Sequence, residues 1–176
     1  MRTFGRTSVL LCIAVLAVSA TGWAERGDDA NRKSKNGKTA GAIDGVQVTV
    51  EYGRPNVKDR KIWGGLVPYD RVWRTGADEA TTVSFDQNVV IEGEPLPAGR
   101  YGFFTVPGME TWTLIFNNTP DQWGAFSYAE AEDALRVRVT PIAADHVEEL
   151  TFAVEGSDVV LRWEELAVAF SVAAAD

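Results

Sequence analysis

Residues 54–81 carry the side chains best suited to binding chemistry. The segment combines several cations with large aromatic residues and ends in an acidic pair, Asp78 and Glu79. Guanidinium groups bind carboxylate or phosphate through paired hydrogen bonds, and aromatic faces stack against sugar rings or cations. These residue types predict a site for an anionic or carbohydrate ligand. The candidate ligand-binding residues are Arg54, Lys58, Arg60, Tyr69, Trp73, Arg74, Asp78, Glu79 and Trp123.

Two interpretations of this segment remain open. In a binding site, Arg54, Arg60 and Arg74 would pair with an anionic ligand, Trp73 and Tyr69 would stack on it, and the acidic pair would orient the arginines. In a purely structural domain, Arg74 would instead form an internal ion pair with that acidic pair. The tryptophans would then only fill the core beneath a long loop.

Trp123 lies outside this segment, in a loop rich in turn-forming residues at positions 117–124. A tryptophan in such a loop can serve as a stacking platform for a sugar ring. It can equally cover the edge of the hydrophobic core. The sequence leaves both roles open.

Adjacent carboxylates raise the alternative of a hydrolase acting on cell-envelope or other glycans. Glycoside hydrolysis needs two carboxyl groups facing each other across a substrate, one of them with a raised pKa. Neighbouring residues of a strand point to opposite faces of a sheet, so an adjacent pair does not supply this geometry. The candidate pairs are Asp78–Glu79, Glu148–Glu149 and Glu164–Glu165.

Several catalytic residue types are scarce in this chain. His146 is its one histidine and Cys12 its one cysteine, so a site with several histidines or thiolates is excluded. No glycine-rich phosphate loop, nucleophile elbow or calcium loop is present in the sequence. The sequence therefore predicts no catalytic residue, no metal and no cofactor, and it favours a non-catalytic protein.

The N-terminus has the pattern of a signal peptide. A basic start precedes an unbroken apolar run over residues 9–18, which is too short to span a bilayer. Small residues ending at Ala20 and at Ala24 fit signal-peptidase cleavage sites. We therefore predict a signal peptide over residues 1–24, export to the periplasm or the exterior, and no stable membrane insertion after cleavage.

Charge is distributed unevenly along the chain. The formal net charge is −8, yet residues 54–74 hold six cations against two carboxylates. An acidic protein is a poor partner for nucleic acid or for an anionic membrane surface. The basic segment would attract a small anionic molecule or an acidic glycan instead.

The elements that position these residues are predicted to be strands. Apolar residues alternate with polar ones in many short runs separated by turn signals, as at Val46, Val48 and Val50. This pattern predicts an antiparallel β-sandwich of eight to ten strands over residues 43–173, with one long ordered loop. Only residues 128–134 look helical, and residues 25–42 are predicted to be a flexible polar leader.

Five motifs resemble the domain-of-unknown-function family 2911, and the resemblance covers about residues 43–173. It implies an exported, β-rich bacterial domain without an assigned activity. In this chain Asp78 stands where the family pattern usually has asparagine, so an amide donor is missing at that position. The motifs are VKDRKIWGGLVPY at 57–69, VWRTGADEAT at 72–81, LPAGRYG at 96–102, WGAF at 123–126 and LRWE at 161–164.

Overall fold

The computed structural model describes residues 26–175, so the predicted signal peptide lies outside the described residues. Ten strands and one short 3-10 helix, Glu130–Glu132, make up the regular structure of this part. The strands are β1 (Lys35–Ile43), β2 (Val46–Arg54), β3 (Thr81–Phe85), β4 (Val89–Ile91), β5 (Glu94–Leu96), β6 (Gly99–Val106), β7 (Trp112–Asn117), β8 (Asp133–Val139), β9 (Ile142–Glu155) and β10 (Asp158–Ala174).

The strands form two antiparallel sheets. One has six strands in the order β1-β2-β3-β6-β7-β8, and the other has four in the order β5-β4-β10-β9. In β2, Val46, Val48 and Val50 are buried while Gln47 is exposed, so alternation places every second side chain in the core. The predicted antiparallel β-sandwich is confirmed.

Four tryptophans form a cluster in the core between the two sheets. Trp112 comes from β7 of the larger sheet and Trp163 from β10 of the smaller one. Trp63 packs edge-on against both, with ring centroids 5.0 and 5.7 Å away, and Trp73 stacks on Trp163 at 5.9 Å. We call these four residues the tryptophan cluster; it joins the two sheets to the segment that carries Trp63 and Trp73.

That segment, residues 55–80, is called the long loop below. It contains no named strand, but its backbone is fixed at several points. Trp73 exchanges two backbone hydrogen bonds with Thr105 of β6, at 2.7 and 2.9 Å. The nitrogen of Val57 donates to the carbonyl of Glu148 in β9 at 2.8 Å. The prediction of an ordered loop lying over the core is confirmed.

The prediction of a flexible leader over residues 25–42 is wrong for residues 35–42. They belong to β1, which pairs with β2 along its whole length, from Lys35 opposite Arg54 to Ile43 opposite Val46. As an edge strand, β1 needs few apolar residues, because much of its surface faces water. The low apolar content of this strand therefore resembled that of a disordered segment.

The predicted helix at residues 128–134 is also shorter than expected. One 3-10 turn covers Glu130–Glu132, and β8 begins directly afterwards at Asp133. Val137 and Val139 are buried, as alternate residues of a strand are. The backbone of these residues pairs with β7, and this pairing determines its extended conformation. Strand pairing therefore outweighs the local helix propensity of the preceding alanines and glutamates.

Candidate functional site

A cavity of about 340 Å³ lies between the long loop, the segment before β1 and β10. We call it the Arg74 cavity. Four cations line it, Lys33, Lys58, Arg60 and Arg74, and Asp78 is the one carboxylate among its lining residues. The lining therefore carries an excess of positive charge in a protein whose net charge is −8. Field lines from such a patch attract anions towards it.

The cavity also has an apolar part. Trp73 and Trp163 of the tryptophan cluster line it, together with Leu66 and Val67. Trp163 and Val67 are buried, whereas Trp73 is half-buried and Leu66 is exposed. Concave sites with an apolar lining and a few charged groups are the usual form of small-molecule sites. The combination suits a ligand that has both an acidic group and an apolar face.

Arg74 is the unusual cation of this site. It is half-buried, and burial lowers the pKa of its guanidinium, although the charge of Asp78 acts in the opposite direction. Its Nε is buried without a hydrogen-bond acceptor, and no carboxylate of residues 26–175 lies within 4.0 Å of its guanidinium. The internal ion pair that a structural role requires is therefore not formed. A partly dehydrated charge without a partner is costly, and a bound anion would compensate it.

The backbone that presents Arg74 is strained and tightly held. Thr75 is fully buried with φ of 55°, a conformation that β-branched residues rarely adopt. Its hydroxyl donates to that of Thr105 at 3.1 Å, and its carbonyl accepts from the hydroxyl of Thr81 at 2.8 Å. A Cβ on Gly76 would lie 2.9 Å from the carbonyl oxygen of Gly53. Such strain persists only where the surroundings impose it, and it often marks a functional site.

The other predicted cations divide into two groups. Arg60 lines the cavity. Its guanidinium also donates to the carbonyls of Val57 and Asn56 and so closes the turn before it. Lys58 is exposed at the cavity. Arg54 does not line the cavity, because its guanidinium pairs with Glu149 of β9 at 2.6 Å.

The acidic pair binds arginines that the sequence analysis did not select. Glu79 forms a two-pronged contact with Arg32, and Arg26 lies 3.4 Å from it. Asp78 lies 3.4 Å from Arg32 as well. Arg26 also donates to the carbonyls of three residues of the long loop. The segment before β1 therefore fixes this end of the long loop, and it contributes Lys33 to the cavity.

Sequence reasoning missed Arg26, Arg32 and Lys33 because they fell within the predicted flexible leader. The available signal was their charge, which is opposite to that of Asp78 and Glu79. Complementary charge alone does not identify partners that are about 50 residues apart, since such pairs contribute little to choosing a fold. The contact became visible only in the structure.

The aromatic candidates also occupy different places. Trp73 lines the Arg74 cavity, whereas Tyr69 packs its half-buried ring against the core and over Gly64. Trp123 is exposed and lines a separate cavity, as does Glu79. The structure thus gathers Lys58, Arg60, Trp73, Arg74 and Asp78 at one cavity. Four predicted residues lie outside it: Arg54, Tyr69, Glu79 and Trp123.

The adjacent carboxylates mainly hold the long loop in place. Glu148 accepts from the backbone nitrogen of Lys58 at 3.0 Å, and Glu164 accepts from the indole nitrogen of Trp63 at 3.1 Å. The hydrogen bonds from Arg32 lower the pKa of Glu79 to about 2. A general acid needs the opposite shift. Glu79 is therefore a poor candidate for the acid of a glycan hydrolase.

Glu79→Gln should destabilise the protein by about 1 kcal/mol at neutral pH, since a partly exposed ion pair is screened by water. The pKa of Glu79 is lowered from 4.5 to about 2, so its ionised form stabilises the folded state above pH 4.5. That stability is lost as the pH falls towards 2. Urea unfolding at pH 7 and pH 3 should show the difference between variant and wild type shrinking at the lower pH.

The exposed residue Glu110, between β6 and β7, provides the control for this measurement. Glu110→Gln should differ little from wild type at either pH. A Glu79→Gln variant as stable as wild type at pH 7 would show that Arg26 and Arg32 do not hold the long loop through this carboxylate.

Within residues 26–175, no group of three or more metal-ligating side chains is placed to hold a metal ion. No helix in the same range has the length and apolar character needed to cross a membrane.

Comparison with known proteins identified one family. The model described as "Protein of unknown function (DUF2911)" matches residues 34–172, which include all the motifs around both cavities. No curated protein and no solved structure matches the chain.

Proposed function

This chain belongs to the DUF2911 family of unknown function, and we propose that it is a non-catalytic binding protein for a small anionic ligand or for the acidic group of a glycan. The binding site is the Arg74 cavity. We further propose that the protein works after export, in the periplasm or outside the cell. Cleavage after Ala20 or Ala24 would leave Arg26, Arg32 and Lys33 in the mature chain, and the intact mass of the exported protein tests this.

The observation that carries the proposal is the state of Arg74. Its guanidinium is half-buried at the cavity, and no carboxylate of the described residues neutralises it. Each of the other half-buried arginines of residues 26–175 has a carboxylate within 4.0 Å, for example Arg54 that of Glu149, and Arg162 that of Glu155 at 2.8 Å. The further arginines without such a partner are exposed to water: Arg60, Arg71 and Arg138. Leaving one half-buried arginine unpaired at a concave, positively charged site is explained most simply by a ligand that brings the counter-charge.

The surrounding residues support an anion with an apolar face. Lys33 and Lys58 are exposed and can adapt to different acidic groups, because ammonium groups act as mobile point charges. Trp73 and Trp163 offer indole surface beside the charges. A uronic acid, with its carboxylate and its flat C–H surface, has this combination, and so does an aromatic acid.

Calorimetric titration of a set of anions into the purified mature protein tests the proposal. Phosphate, sulfate, citrate, glucuronate and benzoate separate inorganic anions from acids with an apolar surface. We expect at least one to bind, with an affinity that weakens several-fold when the ionic strength is raised from about 0.01 to about 0.15 M. Absence of binding across the set at millimolar concentration would contradict the proposal and favour a purely structural domain.

A further inference from the structure

A second cavity, of about 230 Å³, lies beside the exposed residue Trp123. We call it the Trp123 cavity. The loop that carries Trp123 is tied to the end of the long loop: Ala80 donates to the carbonyl of Gln122 at 2.9 Å, and Gly124 to that of Asp78 at 3.0 Å. Glu79 lines this cavity while its neighbour Asp78 lines the Arg74 cavity. The two cavities are therefore neighbours, with separate sets of lining residues.

The charges of the Trp123 cavity balance each other. Its two cations, Arg26 and Arg100, already have carboxylate partners in Glu79 and Asp121, at 3.4 and 2.6 Å. An anion entering this cavity would meet as many carboxylates as guanidinium groups. The Trp123 cavity therefore favours an uncharged ligand that can both donate and accept hydrogen bonds.

Trp123 supplies an apolar surface at the edge of these polar groups. It is 59% exposed, and nearby Phe126 is 88% exposed. The ring of Phe126 lies against Gly124, where a Cβ would come within 3.0 Å of it and where φ is 67°. Large aromatic side chains kept in water on one loop often mark a surface that contacts a partner.

Gln122 lines the same cavity and carries an unsatisfied acceptor just beneath its surface. The residue is 7% exposed, and its Nε2 donates to the carbonyl of Thr119 at 2.7 Å. Its Oε1 is buried without a hydrogen-bond donor in the described part of the chain. A buried acceptor left unpaired costs free energy, so a rotation of the amide that turns Oε1 into the cavity and pairs it with a ligand hydroxyl would be favourable.

We propose that the Trp123 cavity is a second site, which binds a neutral pyranose unit of a glycan. A pyranose has an apolar C–H face and a rim of hydroxyl groups, which matches a tryptophan face beside paired carboxylates and an unsatisfied amide oxygen. Trp123 is the stacking platform. Asp121, Glu79 and Gln122 accept hydrogen bonds from the hydroxyl groups. This site does not depend on anion binding at the Arg74 cavity.

Saturation-transfer NMR on the mature protein tests the second site with four neutral probes: the hexasaccharides of cellulose, xylan, mannan and chitin. At least one probe should receive saturation on its ring C–H protons. In the NMR spectrum of the protein, the same probe should shift the indole N–H signal of Trp123. Trp123→Ala should weaken that binding by about tenfold or more, because the stacking area is removed. Trp123→Phe retains an aromatic face and should lose much less affinity.

Three outcomes would overturn this proposal. The first is that none of the four probes binds at millimolar concentration. The second is that Trp123→Ala binds as wild type does. The third is that Arg74→Gln loses the neutral sugar as well, which would make the two cavities one site. Because a failed anion titration leaves these measurements unaffected, the two proposals can fail separately. The indole shift in wild-type protein needs no variant, so it remains informative if Trp123→Ala does not fold.

Discussion

Arg74→Gln is expected to weaken anion binding at least about 30-fold, because truncating one member of a desolvated charge pair costs about 2 kcal/mol or more. The same change should leave the free energy of unfolding unchanged or raise it. The folded protein without ligand holds a half-buried guanidinium that has no carboxylate partner in the described part of the chain, and a neutral amide removes that desolvation cost. Titration of the tightest-binding anion and urea unfolding of the same sample measure both effects.

The matched control is Arg71→Gln. Arg71 is an exposed arginine of the same long loop, and it does not line the Arg74 cavity. This variant has the same change in net charge, so it corrects for long-range attraction of the anion. We expect its affinity to stay within about twofold of wild type. Arg74→Lys, which keeps the charge but loses the planar fork, should fall between wild type and Arg74→Gln.

A contrary result would be informative about the structural alternative. If Arg74→Gln unfolds more readily than wild type and Arg71→Gln does not, then the guanidinium of Arg74 stabilises the long loop. Equal anion affinity in Arg74→Gln and wild type would place the anion elsewhere. Either outcome removes the main support for the proposed function, because that support is the absence of a carboxylate partner for this side chain within residues 26–175.

Trp63→Ala should destabilise the protein by about 3–5 kcal/mol, as large-to-small changes of buried aromatic residues do. The side chain is only 8% exposed and contacts Trp112 and Trp163 edge-on. Its indole nitrogen also donates to Glu164, so the variant leaves that carboxylate only the hydrogen bond from the backbone nitrogen of Glu165. Urea unfolding followed by circular dichroism measures the loss.

Anion binding should also disappear in Trp63→Ala, because Lys58, Arg60 and Arg74 lie on the long loop that Trp63 attaches to the core. Trp63→Phe keeps a packed ring and should lose about 1–2 kcal/mol, chiefly through the missing indole N–H. Trp123→Ala is the control, since its side chain is mostly exposed and should cost less than about 1 kcal/mol. A Trp63→Ala protein as stable as that control would show that the tryptophan cluster does not hold the loop.

The two cavities give the protein an asymmetric binding surface. The lining of the Arg74 cavity has an excess of cations, whereas the charges of the Trp123 cavity are balanced. The neighbouring residues Asp78 and Glu79 line one cavity each. Arg26 and Arg32 hold these two carboxylates and therefore influence the shape of both cavities. The segment before β1, although short and polar, is thus part of the binding architecture.

The sequence alone determined that the protein is a β-sandwich and that the long loop is ordered and not flexible. Alternation at Val46, Val48 and Val50 identifies a half-buried strand, because successive side chains of a strand face opposite sides. Prolines and paired glycines in residues 55–68 exclude a regular strand, and the tryptophans there require burial. These are local properties, so a pattern of neighbours along the chain is sufficient to predict them.

Only the tertiary structure decided which charges are paired. It showed that Arg74 has no carboxylate partner among residues 26–175, that Arg54 pairs with Glu149, and that Arg32 holds Glu79. Such pairs join residues 47 to 95 positions apart, and any arginine is chemically able to pair with any carboxylate. The choice among them follows from strand order and register, which determine the distances between side chains. The binding surfaces of this protein therefore depend on how its sheets are assembled.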